Sequence, residues 1–246
     1  MMTEFSKSQW VKSDFAREYR ENADIYIMDR DRLLEILGSF YKHFMGNKTG
    51  VNLLDLGCGD GIVANKLLRI DGSIEATLVD ASEDMLNKAK ENLKAFEKIR
   101  FIKASFQEII NDDILSKDLL NKNFDFIVSS LAIHHLDMNE KMALFKMIFS
   151  YLKVDGYFLN IDVVLAPTEP LEEWYLFLWK NWIQEKKKSL GVEGSYYDDV
   201  VRRYKDNTDN KPDTLESQLN ALKTAGFRDV DCFYKYGIFS MYGGKK

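Results

Sequence analysis

Gly57, Gly59 and Gly61 come directly after a short apolar run (Val51, Leu53, Leu54, Leu56) that carries an acid, Asp55, near its end. An apolar strand that breaks into a glycine loop and restarts as a helix builds a nucleotide pocket at the edge of a parallel sheet. Glycine is needed there because the backbone passes close to the ligand, in conformations that a Cβ forbids. A second acid, Asp80, ends the next apolar run, 19 residues after Gly61. A carboxylate in that place can hold both ribose hydroxyls of a nucleoside. His134 and His135, two of only three histidines, follow a later apolar run. An imidazole can take a proton from an attacking oxygen or nitrogen near neutral pH. It can equally pack under a sheet end or cap the following helix, and the residues alone leave both readings open.

The glycine loop departs from the dinucleotide fingerprint GxGxxG/A, because the third position falls on Ile62. It reads GxGxG instead, which disfavours a dehydrogenase. Cys58 has no electropositive neighbour in sequence and reads as a small loop residue, not a nucleophile. No metal is expected: adjacent histidines rarely converge on one ion, and no other ligand cluster has suitable spacing.

These residues need a parallel sheet to position them. Apolar runs at 51–56, 74–79, 100–104, 124–129 and 157–164 read as strands buried on both faces. Helices are expected at 61–69, 83–96 and 138–152, the last opened by Asp137 and Glu140 at capping-box spacing. An amphipathic helix over 31–44 precedes the first strand. This alternation predicts a doubly wound α/β sheet with right-handed crossovers. It breaks at 167–211, where three of the four tryptophans (Trp174, Trp179, Trp182) gather with Tyr175, Phe177, Tyr196, Tyr197 and Tyr204. Two inserted helices are expected there. A helix from Thr214 to Ala225 follows, with Asp213 and Glu216 again at capping-box spacing and Gly226 as the stop. Strands 228–236 and 238–242 then meet at Gly237 as an antiparallel pair.

Composition narrows the function classes. The 246 residues are 46% apolar with a net charge of −5, which disfavours broad contact with nucleic acid. Two cysteines, one inside the glycine loop, argue against a structural disulfide and fit a cytoplasmic location. No apolar run is long enough for a membrane span, and the start MMTEFSKSQW lacks a secretory core. Lys186, Lys187 and Lys188 read as a solvated helix end, not a nucleic-acid patch. Nothing in the sequence signals an oligomeric state.

Five successive segments, LLDLGCGDG, LVDASEDML, FDFIVSSLAIHHL, LKVDGYFLNIDVV and LKTAGFRDVDCFYKY, resemble in order the motifs of class I S-adenosylmethionine-dependent methyltransferases. The likeness runs from about Val51 to Tyr242. It implies a Rossmann-like seven-stranded sheet with an antiparallel last strand, and S-adenosyl-L-methionine as cofactor. The chain then divides into an N-terminal helical cap (1–50), a cofactor-binding α/β core (51–166), a helical lid (167–211) and a segment completing the core (212–246). By the same resemblance Asp55, Gly57, Cys58 and Gly59 line the methionine part of the cofactor, with Tyr19 or Arg20 at its carboxylate. Asp80 binds the ribose, while Ala81 and Met85 flank the adenine. Many members place an acid after the third strand to meet the adenine amine. Here Ala104, Ser105 and Phe106 stand there, so Ser105 has to serve. Ser130, Leu131 and His134 follow the fourth strand, beside the methyl group.

The acceptor is expected to be a small molecule receiving the methyl group by in-line transfer. Acceptor nitrogens of nucleic acid or glutamine go with an Asn-Pro-Pro-Tyr type motif, where this chain reads SSLAIHH. Trp174 and Tyr197 are candidate walls of the acceptor pocket, although their helical spacing equally suits packing. The stretch Gly194 to Phe227 also resembles carboxy-S-adenosylmethionine synthases, in which an arginine matching Arg203 binds the carboxylate of the modified cofactor. A synthase of that kind and a non-enzymatic cofactor-binding subunit are the two rival readings.

Overall fold

The computed structural model describes residues 8–111, 123–192, 197 and 199–246. The expected runs form strands β1 (Asn52–Leu56), β2 (Glu75–Asp80), β3 (Ile99–Lys103), β4 (Phe124–Ser130), β5 (Leu152–Val163), β6 (Arg228–Tyr236) and β7 (Phe239–Lys245). Among the described residues they make one seven-stranded sheet in the order β3-β2-β1-β4-β5-β7-β6. The first five strands run parallel, and β7 lies antiparallel to both β5 and β6. The chain winds outward from β1 to β3 and returns to β4, so β1 and β4 are neighbours at a topological switch point, where α/β sheets open a crevice.

Helices cover both faces. On one side lie α1 (Ser13–Tyr26), α2 (Arg30–Met45), α3 (Ile62–Ile70), α4 (Glu83–Asn92) and α7 (Glu169–Leu190), with Leu33, Leu37, Val63, Leu67, Leu86 and Trp179 packed on Leu53, Phe126 and Met241. On the other lie α5 (Phe106–Asn111), α6 (Met138–Tyr151) and α9 (Leu215–Ala225), with Ile109, Leu144, Phe145, Ile148 and Leu222 packed on Leu54, Ile127 and Phe158. Short α8 (Val200–Asp206) follows α7. Tyr196 lies outside the described residues.

Several boundaries differ from the sequence reading, each for a physical reason. Strand β7 runs to Lys245, three residues past its expected end. Gly243 permits this, because a Cβ there would collide with the Phe158 carbonyl of β5. Helix α4 ends at Asn92, and buried Leu93 turns the chain beneath Gly61. Strand β5 begins at Leu152, with Asp155 at φ 63° and a register shift opposite Phe124 and Phe126. The expected capping box forms at α6, where Asp137 and Glu140 engage each other's backbone. It does not form at α9. There Thr214 caps the helix through the Ser217 amide, because the Asp213 carboxylate is taken by Lys141, a fully buried lysine of α6.

Candidate functional site

The glycine loop is tied to the sheet before it meets any ligand. The amides of Gly57 and Cys58 both donate to the Val79 carbonyl of β2, at 2.8 and 3.0 Å. Gly57 (φ 68°) and Gly59 (φ 53°) adopt left-handed backbone. A Cβ on Gly57 would strike the Ala132 methyl, whereas one on Gly59 would meet nothing within 4 Å. Gly59 therefore borders open space, a cavity of about 360 Å³ at the carboxyl ends of β1 to β4. Gly57, Asp80, Ala81, Met85, Ala104, Ser105, Phe106, Ser130 and Leu131 line it together with Tyr19. A smaller cavity of about 70 Å³ shares the Gly57, Gly59, Tyr19, Met85, Ser130 and Leu131 walls and adds Arg20, Arg30 and Cys58.

Two carboxylates lie under the loop. Asp80 accepts from the Gly59 and Ser82 amides, each at 2.8 Å. Burial raises its pKa against the pull of those amides. Asp55 is fully buried, and among the described residues neither of its oxygens has a hydrogen-bond partner. Burial pushes it up to about 8, opposed by the Ala64 amide from beyond hydrogen-bonding geometry and reinforced by Asp80 and Asp60. Burial also drives the Cys58 thiol well above its usual range, which removes any thiolate character. Ser105 caps α5: its hydroxyl donates to Glu108 at 2.8 Å and accepts from the Glu108 amide. Arg20 donates to the Met85 sulfur at 3.4 Å. Leu131 holds φ 52° while its amide donates to Ile161 at 2.7 Å, a strained backbone on the wall of both cavities.

The two histidines have different surroundings. His134 is buried, with Nδ1 2.6 Å from Asp162 of β5. Asp162 also accepts from the Val163 amide and, at 3.4 Å, from Asn160, which donates to Tyr242; Tyr242 in turn donates to Gln218. His135 lies tilted against His134, 4.1 Å between ring centres, and lines the larger cavity. Its Nε2 accepts from the indole of Trp10 at 3.1 Å, and its Nδ1 lies 3.1 Å from the Asp209 carbonyl. Nδ1 therefore carries the proton, the ring is neutral, and burial with His134 nearby pulls its pKa down to about 3.

Five sequence candidates line neither cavity: the buried Asp55 and His134, and three from the helical insertion. Trp174 is 53% exposed on α7, Tyr197 donates to Asn22 at 2.8 Å, and Arg203 faces Glu18 at 3.4 Å. Other walls escaped the sequence reading: Trp10, Gln107, Thr208, Asp209 and Lys211 in the larger cavity and Arg30 in the smaller. Asn160 and Asp162 did carry a signal, as two polar residues alternating in an otherwise apolar strand. Among the described residues no group of three or more His, Cys, Asp or Glu could hold a metal ion. No helix among them is long and apolar enough to cross a membrane.

A glycine loop after β1, an acid ending β2 and a cavity at the β1–β4 switch define a nucleotide-cofactor-binding α/β protein. The chain belongs to the methyltransferase-domain family, whose sequence model matches residues 47–218. S-adenosyl-L-methionine is its cofactor. A carboxy-S-adenosyl-L-methionine synthase of Nautilia profundicola is 24% identical over 226 residues, 91% of this chain and 84% of the relative. An uncharacterised methyltransferase of Mycobacterium tuberculosis is 31% identical over 127 residues, 52% of this chain and 57% of the relative. In fold the chain is similar to an O-methyltransferase family protein of Burkholderia thailandensis, with a TM-score of 0.67 at 12% identity. That match covers 98% of this chain, which spans about three fifths (62%) of the length of that structure. The residues present fit the cofactor: Gly59 leaves an open cradle, Asp80 stands at the end of β2, and buried Asp55 lacks a polar partner.

Proposed function

We propose that this protein transfers the methyl group of S-adenosylmethionine in line to a small-molecule acceptor. The observation that carries the reading is the larger cavity, which extends beyond the expected cofactor walls to Trp10, His135, Thr208, Asp209 and Lys211. Bound S-adenosylmethionine supplies a methyl group already activated on a sulfonium. The chain's own residues hold and orient. In this reading Asp80 takes the ribose hydroxyls, Ala81, Met85, Ala104, Ser105 and Phe106 enclose the adenine, and Asp55, Gly57, Cys58 and Gly59 follow the methionine. Arg20 and Tyr19, with Arg30 beside them, take its carboxylate. Ser130 and Leu131 lie along the methyl path. Alignment and exclusion of water of this kind can lower a barrier by about 7–11 kcal/mol.

The histidines divide the remaining work. His135 has both ring nitrogens engaged and serves as wall. His134, held by Asp162, lines neither cavity, and in this reading it positions its neighbour His135 and does not touch the acceptor. The rival synthase activity finds support in the Nautilia relative. In that reading Arg203 would bind the added carboxylate, but here Arg203 pairs with Glu18 and lines neither cavity, which leaves Lys211, Arg20 and Arg30 as the cations on the cavity walls.

The test is mass spectrometry of the cofactor carried by purified protein, followed by titration with S-adenosylhomocysteine and a labelled-methyl screen of small acceptors. Plain cofactor and a methylated acceptor support the proposal. A carried species heavier by a carboxyl group moves the function to the synthase. Folded protein that binds neither form of the cofactor rejects both.

A further inference from the structure

We infer that Trp10 is a specificity-determining residue: its indole closes the acceptor side of the larger cavity and so limits the size of group that can enter. The inference rests on the methyl-transfer reading above. Trp10 sits in a single 3-10 turn, Gln9–Val11, that contributes no buried residue to either core cluster. The hydrophobic core therefore does not dictate its position. What holds it lies on the cavity: the indole N–H donates to His135, and the ring meets Tyr19 edge-on at 5.0 Å. A second edge contact, to Phe15 at 5.1 Å, steadies the ring from α1. The turn is also fastened to the opposite wall, because the Gln9 amide donates to the Asp209 carboxylate at 3.3 Å.

This placement does two things at once. The indole occupies space between Tyr19 and His135, both of them cavity walls. Its N–H also requires a lone pair on His135 Nε2, which matches the proton that Nδ1 presents to the Asp209 carbonyl. His135 is thereby held as a fixed, neutral wall that offers the cavity no donor. A flat side chain held by polar bonds at its rim is a size filter. A smaller residue at this position removes the filter and leaves both cores untouched.

The experiment compares full-length wild type, Trp10→Phe and Trp10→Ala by titration with S-adenosylhomocysteine and with an S-benzyl analogue of S-adenosylmethionine. The readout is the ratio of the two dissociation constants, which is insensitive to a general loss of stability. Loss of the indole in Trp10→Ala should shrink the penalty for the benzyl group by about tenfold or more. Trp10→Phe keeps a ring against Phe15 and Tyr19 and should stay close to wild type in this ratio. Nitrogen NMR should show His135 with Nδ1 protonated in all three proteins, because the Asp209 carbonyl accepts that proton with or without the indole, and the Nε2 resonance should shift in both variants, which lack the indole donor. The same benzyl penalty in all three proteins overturns the inference while the cofactor reading stands. Folded wild type that does not bind S-adenosylhomocysteine overturns the cofactor reading, and this inference with it.

Discussion

Asp55 is fully buried and His135 half-buried at the site, and desolvation moves them in opposite directions, to about 8 and about 3. The consequence for stability follows from proton counting. Between about pH 4 and 6.5 the folded protein holds one proton more than the unfolded chain at Asp55 and one fewer at His135, so their slopes cancel. From about 6.5 to 8 only the Asp55 difference remains, and stability falls as pH rises. Below about pH 4 only the His135 difference remains, and stability falls with pH toward about 3. Urea unfolding of cofactor-free protein should therefore show Asp55→Asn losing the decline above pH 6.5 and gaining stability with pH from about 3 to 6.5. His135→Gln should instead lose stability continuously from about pH 4 to 8. A wild-type profile in either variant refutes the corresponding shift. The two glycines separate binding from folding in the same way. Gly59→Ala places a methyl in the open cradle at a strain of about 1–2 kcal/mol. It should fold and lose S-adenosylhomocysteine affinity by calorimetric titration. Gly57→Ala drives its methyl into Ala132, so its melting temperature should fall further than that of Gly59→Ala.

At the scale of elements, the wall formed by Thr208, Asp209 and Lys211 belongs to no helix or strand and needs an anchor. Lys141 of α6 supplies it. Its buried ammonium donates to the Lys211 carbonyl and to Asp213, both at 2.5 Å. The Lys211 amide donates in turn to the His134 carbonyl at 2.7 Å, which joins the wall to the end of β4. Removing one partner of a fully buried ion pair costs about 3–5 kcal/mol, and here the Asp213 carboxylate left behind is 28% exposed, so the loss falls toward the lower end of that range. Lys141→Met should show a loss of that order in denaturant unfolding. Lys141→Met combined with Asp213→Leu should recover more than half of it, since no orphaned charge remains. Equal losses in the single and double variants reject the account.

Over the whole molecule, α7 is fastened to the core through Trp179 and Ile183, while most of its other residues are exposed or half-buried. Trp179 is 4% exposed, donates to the Tyr26 carbonyl of α1 at 2.7 Å and meets Phe239 of β7 and Tyr204 of α8 edge-on. Replacing a buried tryptophan by alanine costs about 3–5 kcal/mol. Trp179→Ala should lose that much in one cooperative transition, with circular dichroism and fluorescence coincident. Two separate transitions would show an independent lid instead.

The sheet, the glycine loop and the acid ending β2 were legible in the sequence because each is a local matter. Apolar runs bounded by turns specify strands, and left-handed backbone specifies glycine. The antiparallel terminal pair was legible in the turn at Gly237, and the resemblance added that its last strand completes a seven-stranded sheet. The far side of the cavity could not be read, because Trp10, His135 and Asp209 meet only after segments about 125 and 74 residues apart come together. The capping box at α9 failed for the same reason: Asp213 has the right spacing from Glu216, but a buried lysine 72 residues away takes its carboxylate. Local sequence determined which residues can form a strand, a turn or a cap. Only the tertiary structure decided which polar groups compete for one another, because burial makes an unpaired charge or hydrogen bond costlier than a helix cap is worth.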